Sequence, residues 1–142
     1  MMVLKKNHYS AIVRHGEKDY PYECCGLLLG HFDGERKIVT ETFSISNARE
    51  EASKRNRFLI TPDEFSRGEQ EAKKNGLDVV GFYHSHPDHP AQPSQYDLEH
   101  AWPLYSYVIV SVVDGKYEVV LSWELEDDRS KFRSEKLLLG EL

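Results

Sequence analysis

The stretch from Val79 to Val113, VVGFYHSHPDHPAQPSQYDLEHAWPLYSYVIVSVV, holds two strand-like runs separated by a proline-rich loop and a short helical segment. Val79 to His84 has the apolar character of a buried strand. Pro87 to Pro93 is a loop carrying three prolines, and Ser94 to Trp102 reads as a short helix. Tyr105 to Val113 is rich in β-branched and aromatic residues, the turn pair Asp114-Gly115 follows, and Tyr117 to Leu125 completes a hairpin. Downstream, Phe132 to Leu139 is a last strand or helix.

Upstream the same logic gives a second hairpin and two more helices. Tyr9, Ile12, Val13 and Tyr20 recur at helical spacing before Pro21, so residues 8 to 19 form an amphipathic helix. Cys24 to Phe32 is a short apolar run, Asp33-Gly34 is a turn dipeptide, and Lys37 to Ile45 is β-branched. Gly26 and Gly30 bracket Leu27-Leu28-Leu29 and mark close strand packing or bulges, since no Lys-Ser/Thr pair follows to make a phosphate loop. Residues 46 to 57 are polar and of mixed charge, a loop, and Phe58 to Ile60 returns to strand. Thr61-Pro62-Asp63-Glu64 is a helix start, with Thr61 as N-cap, Pro62 at the first helical position and Glu64 placed to close a capping box. That helix ends near Asn75-Gly76. Helices interrupting hairpins predict an α+β or mixed-sheet α/β fold.

Composition narrows the class of function. The 142 residues, 39% hydrophobic and 30% charged, fit one globular domain spanning 1–142 and leave no room for a second large one. Eighteen basic against 24 acidic residues give a formal charge of -6, which supplies no basic face for nucleic acid. No apolar run approaches the roughly 18 residues of a membrane span. Met1 to Tyr9 has Lys5 and Lys6 without an apolar stretch behind them, so no secretory leader is expected. Cys24 and Cys25 are neighbours, a poor geometry for a disulfide, and read as reduced thiols of a cytoplasmic protein.

His84, His86, His89 and His100 crowd into the central stretch. On a strand, His84 and His86 project from one face and Ser85 from the other, so two imidazoles stand a pleat apart and can share a metal ion. Taken alone, His-x-His is equally a pair of hydrogen-bonded surface histidines. A catalytic zinc site takes three protein ligands and keeps a fourth position open, and Asp97 offers the third. Yet Ser94-Gln-Tyr-Asp97 is also an N-terminal capping pattern, in which Ser94 bonds a first-turn amide and Asp97 favours the helix start. Glu23, just before an apolar strand, has the chemistry of a general acid/base for amide hydrolysis, and equally that of a solvated strand-start residue.

These residues resemble the JAMM, or MPN-plus, metallopeptidases. Their motif is an upstream glutamate, then His-x-His-Pro, six residues, and Ser-x-x-Asp. Glu23, His84-Ser85-His86-Pro87, Asp88 to Pro93 and Ser94-Gln-Tyr-Asp97 match it without a gap, and the likeness runs over about residues 8 to 113, through PYECCGLLLG, ITPDEF and YSYVIVSV. The resemblance implies a cytidine-deaminase-like fold with a curved, mixed, mostly antiparallel sheet flanked by helices. It also implies one Zn2+ held by His84, His86 and Asp97, Glu23 as general acid/base, and Ser94 steadying the oxyanion or the water. The chain is most similar to the small prokaryotic members, which implies hydrolysis after the C-terminal diglycine of a ubiquitin-like sulfur-carrier protein. The polar loop 46–57 is the expected carrier contact.

Other patterns collide with this one. His84-Ser-His86-Pro-Asp88-His89 fits the His-x-His-x-Asp-His motif of metallo-β-lactamase-fold hydrolases, but those need further ligands downstream in a longer domain, and only His100 follows His89. His89 is then a loop or substrate-pocket residue. A zinc deaminase needs His-x-Glu followed by Pro-Cys-x-x-Cys; His15-Gly16-Glu17 is present, while Cys24-Cys25 has the wrong spacing. A non-catalytic MPN-type interaction domain is the remaining alternative, and the filled motif argues against it.

Overall fold

The computed structural model describes residues 1–46 and 60–140. Its elements are β1 (Met2–Lys5), α1 (Lys6–Asp19), β2 (Cys25–Asp33), β3 (Arg36–Ile45), α2 (Pro62–Lys74), β4 (Asp78–Pro87), α3 (Gln95–His100), β5 (Ser106–Val113), β6 (Lys116–Leu125), β7 (Phe132–Glu135) and β8 (Leu137–Gly140). They make a mixed α/β fold with one eight-stranded sheet in the order β7-β6-β5-β4-β2-β3-β1-β8. The β2/β3, β2/β4, β5/β6 and β6/β7 pairs are antiparallel, while β1/β3, β1/β8 and β4/β5 are parallel.

The sheet is curved enough to bring distant strands together. Lys37 on β3 forms an ion pair with Glu124 on β6, although β2, β4 and β5 lie between them in the sheet. β7 and β8 occupy opposite ends of the strand order and are separated in sequence only by Lys136. The Lys136 carbonyl accepts from the Met2 amide at 2.9 Å, so one segment joins both outer strands.

Both hairpins form as expected, with different turns. Val113 pairs with Lys116 across Asp114-Gly115, whose φ values of 51° and 84° give the two left-handed residues of a type I′ turn. In the first hairpin Asp33 pairs with Arg36, so the loop is Gly34-Glu35, one residue beyond the expected Asp33-Gly34. Gly34 alone takes positive φ there, at 61°, and a glycine tolerates that conformation at either turn position.

Burial on two faces explains the apolar run of β2. Leu28 packs with Ile12 and Val13 of α1 and with Val108, Val110 and Val112 of β5. Leu27 and Leu29 point the other way, into a cluster with Ala72 and Phe65 of α2. Gly26 is required by contact, because a Cβ there would lie 2.3 Å from the Tyr83 ring. Gly30 adjoins a register shift in the β2/β3 ladder, and its Cβ would fall 1.8 Å from the Ile38 carbonyl oxygen.

Several boundaries differ from expectation. α1 begins at Lys6, because β1 ends only at Lys5. The strand β1 itself carried no readable pattern in four residues. β4 continues to Pro87, placing His86 inside the strand. The helix after the proline loop stops at His100, and Phe132 to Leu139 is two strands. Thr61 caps α2 by accepting from the Glu64 amide at 3.2 Å, but the Glu64 carboxylate pairs with Arg67 instead of closing a box. Residues 47–57 of the expected loop and Phe58 and Leu59 of the expected strand lie outside the described residues; Ile60 is not in a strand.

Candidate metal centre

The centre is built where β4 leaves the sheet. His84 pairs in register with Cys25 of β2 and Ile109 of β5, at the middle of the strand order, and is buried. Strand alternation puts His86 on the same face. Ser85 points oppositely, where its hydroxyl accepts from the Cys24 amide at 2.8 Å. The third group comes from α3, whose start carries both of the alternatives left open by the Ser94–Asp97 spacing. Ser94 Oγ accepts from the Asp97 amide at 3.1 Å, and the Asp97 carboxylate accepts from the Ser94 amide at 2.9 Å, a complete capping box. The box locks the Asp97 rotamer, and the carboxylate so held also faces both histidines.

The three side chains converge on one point. His84 Nε2 and His86 Nε2 are 3.1 Å apart, His84 Nε2 is 3.3 Å from Asp97 Oδ1, and His86 Nε2 is 3.2 Å from Asp97 Oδ2. They form the only group of three or more His, Cys, Asp or Glu side chains among the described residues arranged to hold a metal ion. The donor set fits zinc: ligand atoms about 2.0–2.2 Å from a tetrahedral ion stand about 3.3–3.6 Å apart, close to the separations found here. His86 Nδ1 lies 2.8 Å from the Pro90 carbonyl oxygen, which can only accept. The ring therefore carries its proton on Nδ1 when neutral and aims the Nε2 lone pair at the shared point. One proton between the two Nε2 atoms cannot serve both rings and the carboxylate; a divalent cation can.

The electrostatics are those of a buried cluster waiting on charge. Burial pushes His84 down, against the pull of Asp97. Burial also opposes protonation of His86, but the Asp97 and Pro90 bonds outweigh it and raise it. Asp97 resists burial through His84, His86 and the Ser94 amide and is held well below the usual carboxylate range. Glu23 behaves oppositely: burial, reinforced by Asp97 and opposed by His86, pushes it up to about 8.

Glu23 and Ser94 reach the same cavity. A cleft of about 670 Å³ is lined by Glu23, His86, His89, Pro90, Ser94 and Tyr96, among others. The structure thus brings together all five residues singled out in the sequence. His89 is a cavity-lining residue, and His100 stacks on Tyr96 with ring centroids 4.1 Å apart; neither joins the metal-binding group. Sequence reasoning missed the Pro90 carbonyl as orienting partner of His86, for which the proline loop was the only signal. Beyond Tyr96 a second groove of about 640 Å³ opens, walled by Phe65, Phe82, Trp102, Tyr105 and Tyr107. No helix among the described residues is long and apolar enough to cross a membrane.

Comparison with known proteins follows the same lines. The chain matches the family described as prokaryotic homologues of the JAB domain over residues 5–126. It is similar to a desampylase of Haloferax volcanii, 39% identical over 99 residues that make up 69% of this chain and 68% of that protein. It is also similar to a desampylase of Pyrococcus furiosus, 29% identical over 134 residues, 93% of this chain and 86% of that one. The crystal structure of a JAB1/MPN domain protein from Archaeoglobus fulgidus aligns with a TM-score of 0.61 at 18% identity, over 99% of this chain and 98% of that one, a likeness of fold.

Proposed function

Because the chain belongs to the prokaryotic JAB-domain family, we propose that it is a zinc peptidase that hydrolyses the amide or isopeptide bond after the C-terminal diglycine of a ubiquitin-like protein, a sulfur carrier being the preferred partner. The observation that carries this reading is the convergence of His84, His86 and Asp97 beside a buried Glu23 in one open cleft. His84, His86 and Asp97 hold the ion. A zinc ion in that position supplies Lewis acidity, polarising the scissile carbonyl and acidifying a water.

The remaining work falls to the chain's own groups. Glu23 takes the proton of the attacking water on its carboxylate and returns it to the departing amine. Ser94 stands at the cleft wall with its hydroxyl beside the Asp97 amide, where it can donate toward the oxygen that gains charge. The Ser94–Asp97 box and the Pro90 carbonyl keep Asp97 and His86 from turning, so the site is organised before substrate arrives.

A diglycine has no side chains to fill pockets, so its backbone can approach a buried centre closely. Selection of the carrier then falls to the surroundings of the cleft. The family likeness to the two desampylases supports a ubiquitin-like substrate. The test is to incubate the zinc-loaded protein with diglycine-ending carriers bearing short C-terminal extensions and to read the products by mass spectrometry. Cleavage directly after the second glycine is the expected product. No cleavage of any carrier or diglycine peptide would reject the reading.

A further inference from the structure

Asp88 belongs to the motif region, yet neither metal binding nor proton transfer uses it. We infer that Asp88 and Tyr20 together form a tether that positions Glu23 against the metal centre, making both positioning residues for the proposed reaction. The inference rests on the reading of Glu23 as the proton carrier, and it deepens that reading.

Asp88 sits two residues after His86, where the chain turns out of β4 with φ 58°, the left-handed region that aspartate enters more readily than most residues. Its backbone and carboxylate are each committed. The Asp88 amide donates to the Val112 carbonyl at 2.7 Å, and Oδ1 accepts from the Asp114 amide at 3.0 Å, fixing Asp88 on the β5/β6 turn. Oδ2 accepts from the Tyr20 hydroxyl at 2.6 Å. Tyr20 ends α1, with its amide bonded to the Gly16 carbonyl at 3.2 Å, and its ring packs on the main core.

Glu23 therefore hangs between two attachments to the same strand. On its C-terminal side, Cys24 is bound to Ser85 twice: its amide donates to Ser85 Oγ at 2.8 Å, and its carbonyl accepts from the Ser85 amide at 3.2 Å. On its N-terminal side the Tyr20–Asp88 bond is the corresponding tie. The two anchor points, Ser85 and Asp88, flank His86 in sequence. A carboxylate that must meet water and leaving amine in turn needs that two-point suspension, because a misplacement of about 1 Å costs proton transfer heavily. A bond from the Tyr22 amide to the Asp19 carbonyl at 2.8 Å is internal to the segment and does not fix it to β4.

The test uses Y20F, which removes the hydroxyl and keeps the packed ring, with D88G as a second variant that removes the carboxylate and tolerates the left-handed backbone. Backbone order parameters and steady-state kinetics are measured on the zinc-loaded full chain. In Y20F, the amides of Tyr22 and Glu23 should drop from the rigid value of about 0.85 toward about 0.6, while Cys24, held by Ser85, does not change. The kcat should fall about tenfold with KM and zinc stoichiometry unchanged. D88G should do the same, and the double variant should be no worse than the poorer single, as two ends of one bond require. Unchanged order at Glu23 together with kcat within twofold of wild type in both variants would overturn the tether. A wild-type protein that cleaves nothing would instead reject the peptidase reading, and the order parameters would still decide the tether.

Discussion

The fold buries two polar clusters, and they differ in where their positive charge comes from. At one, Lys37 brings an ammonium between Glu124 and Glu135, and the hydroxyls of Ser106 and Ser122 donate to Glu135 Oε1 at 2.6 and 2.7 Å. Glu135 is 1% exposed at its side chain and Lys37 6%, and the Met1 ammonium, 3.3 Å from Glu135, supplies the second positive charge, so the two carboxylates are neutralised from within the chain. Burial pushes Glu124 up, but Lys37 outweighs it and leaves the group below its ordinary value. At the other, two imidazoles and one carboxylate meet with no lysine or arginine among them. The first cluster is complete as a structural device. The second has the donors that a cation from outside would balance, the feature that distinguishes a candidate metal centre from a buried salt bridge.

The largest expected effect lies in the second cluster. His84→Ala should lower zinc affinity more than about 100-fold, beyond the 10–100-fold range that outer-shell losses reach, and remove turnover with it. Titration calorimetry and elemental analysis read the affinity. An H84A protein that keeps stoichiometric zinc would erase the contrast between the clusters. Next in size is the internal cluster: Glu135→Ala leaves Lys37 without its most buried partner and should destabilise folding by about 3–5 kcal/mol. Zinc content and turnover per folded molecule should stay at wild-type values, read by denaturant titration beside the activity assay.

A smaller effect depends on pH. Folding raises Glu23 from 4.5 to about 8, so the folded protein holds a proton there that the unfolded chain releases between those values. Its contribution to stability is full below pH 4.5 and declines as pH rises to about 8. Glu23→Gln has no such proton to lose. In chelator, the unfolding free energy of E23Q from denaturant titration should therefore exceed that of wild type by a margin that grows from pH 5 to about pH 8 and then levels, on the order of a few kcal/mol. A margin independent of pH would mean that Glu23 is not desolvated. The smallest effect on stability and metal binding is expected for Ser94→Ala, which removes the α3 N-cap at a cost of about 1 kcal/mol, while loss of its donor to the oxygen that gains charge should lower kcat by about 100-fold. Because the same cap steadies Asp97, zinc affinity should fall only a few-fold, well short of H84A.

The two clusters also differ in how far a sequence can reveal them. The metal centre was legible because its ligands are local: His84 and His86 share a strand face, and Asp97 follows within one short connection at the start of a helix. The capping reading of Ser94–Asp97 holds, and the same box turns the Asp97 carboxylate toward the histidines. The internal cluster was invisible. Lys37 looks like any polar strand residue, and its partners lie 87 and 98 positions away. They meet only because the sheet curls and the segment through Lys136 joins its two outer strands. The same reason hid β1, a four-residue strand whose pairings are parallel and remote in sequence, and the break that divides Phe132 to Leu139 into β7 and β8. Hairpins, by contrast, announce themselves through their turns, and even there the Asp33-Gly34 pair was read one residue early.

The central claim is that Glu23 moves the proton while His84, His86 and Asp97 hold the metal. Side-by-side zinc content and cleavage of a diglycine-extended carrier, for wild type and Glu23→Gln, test it most directly. The account predicts one zinc per chain in both proteins and turnover in the wild type alone. An E23Q protein that binds zinc and cleaves at the wild-type rate would contradict it.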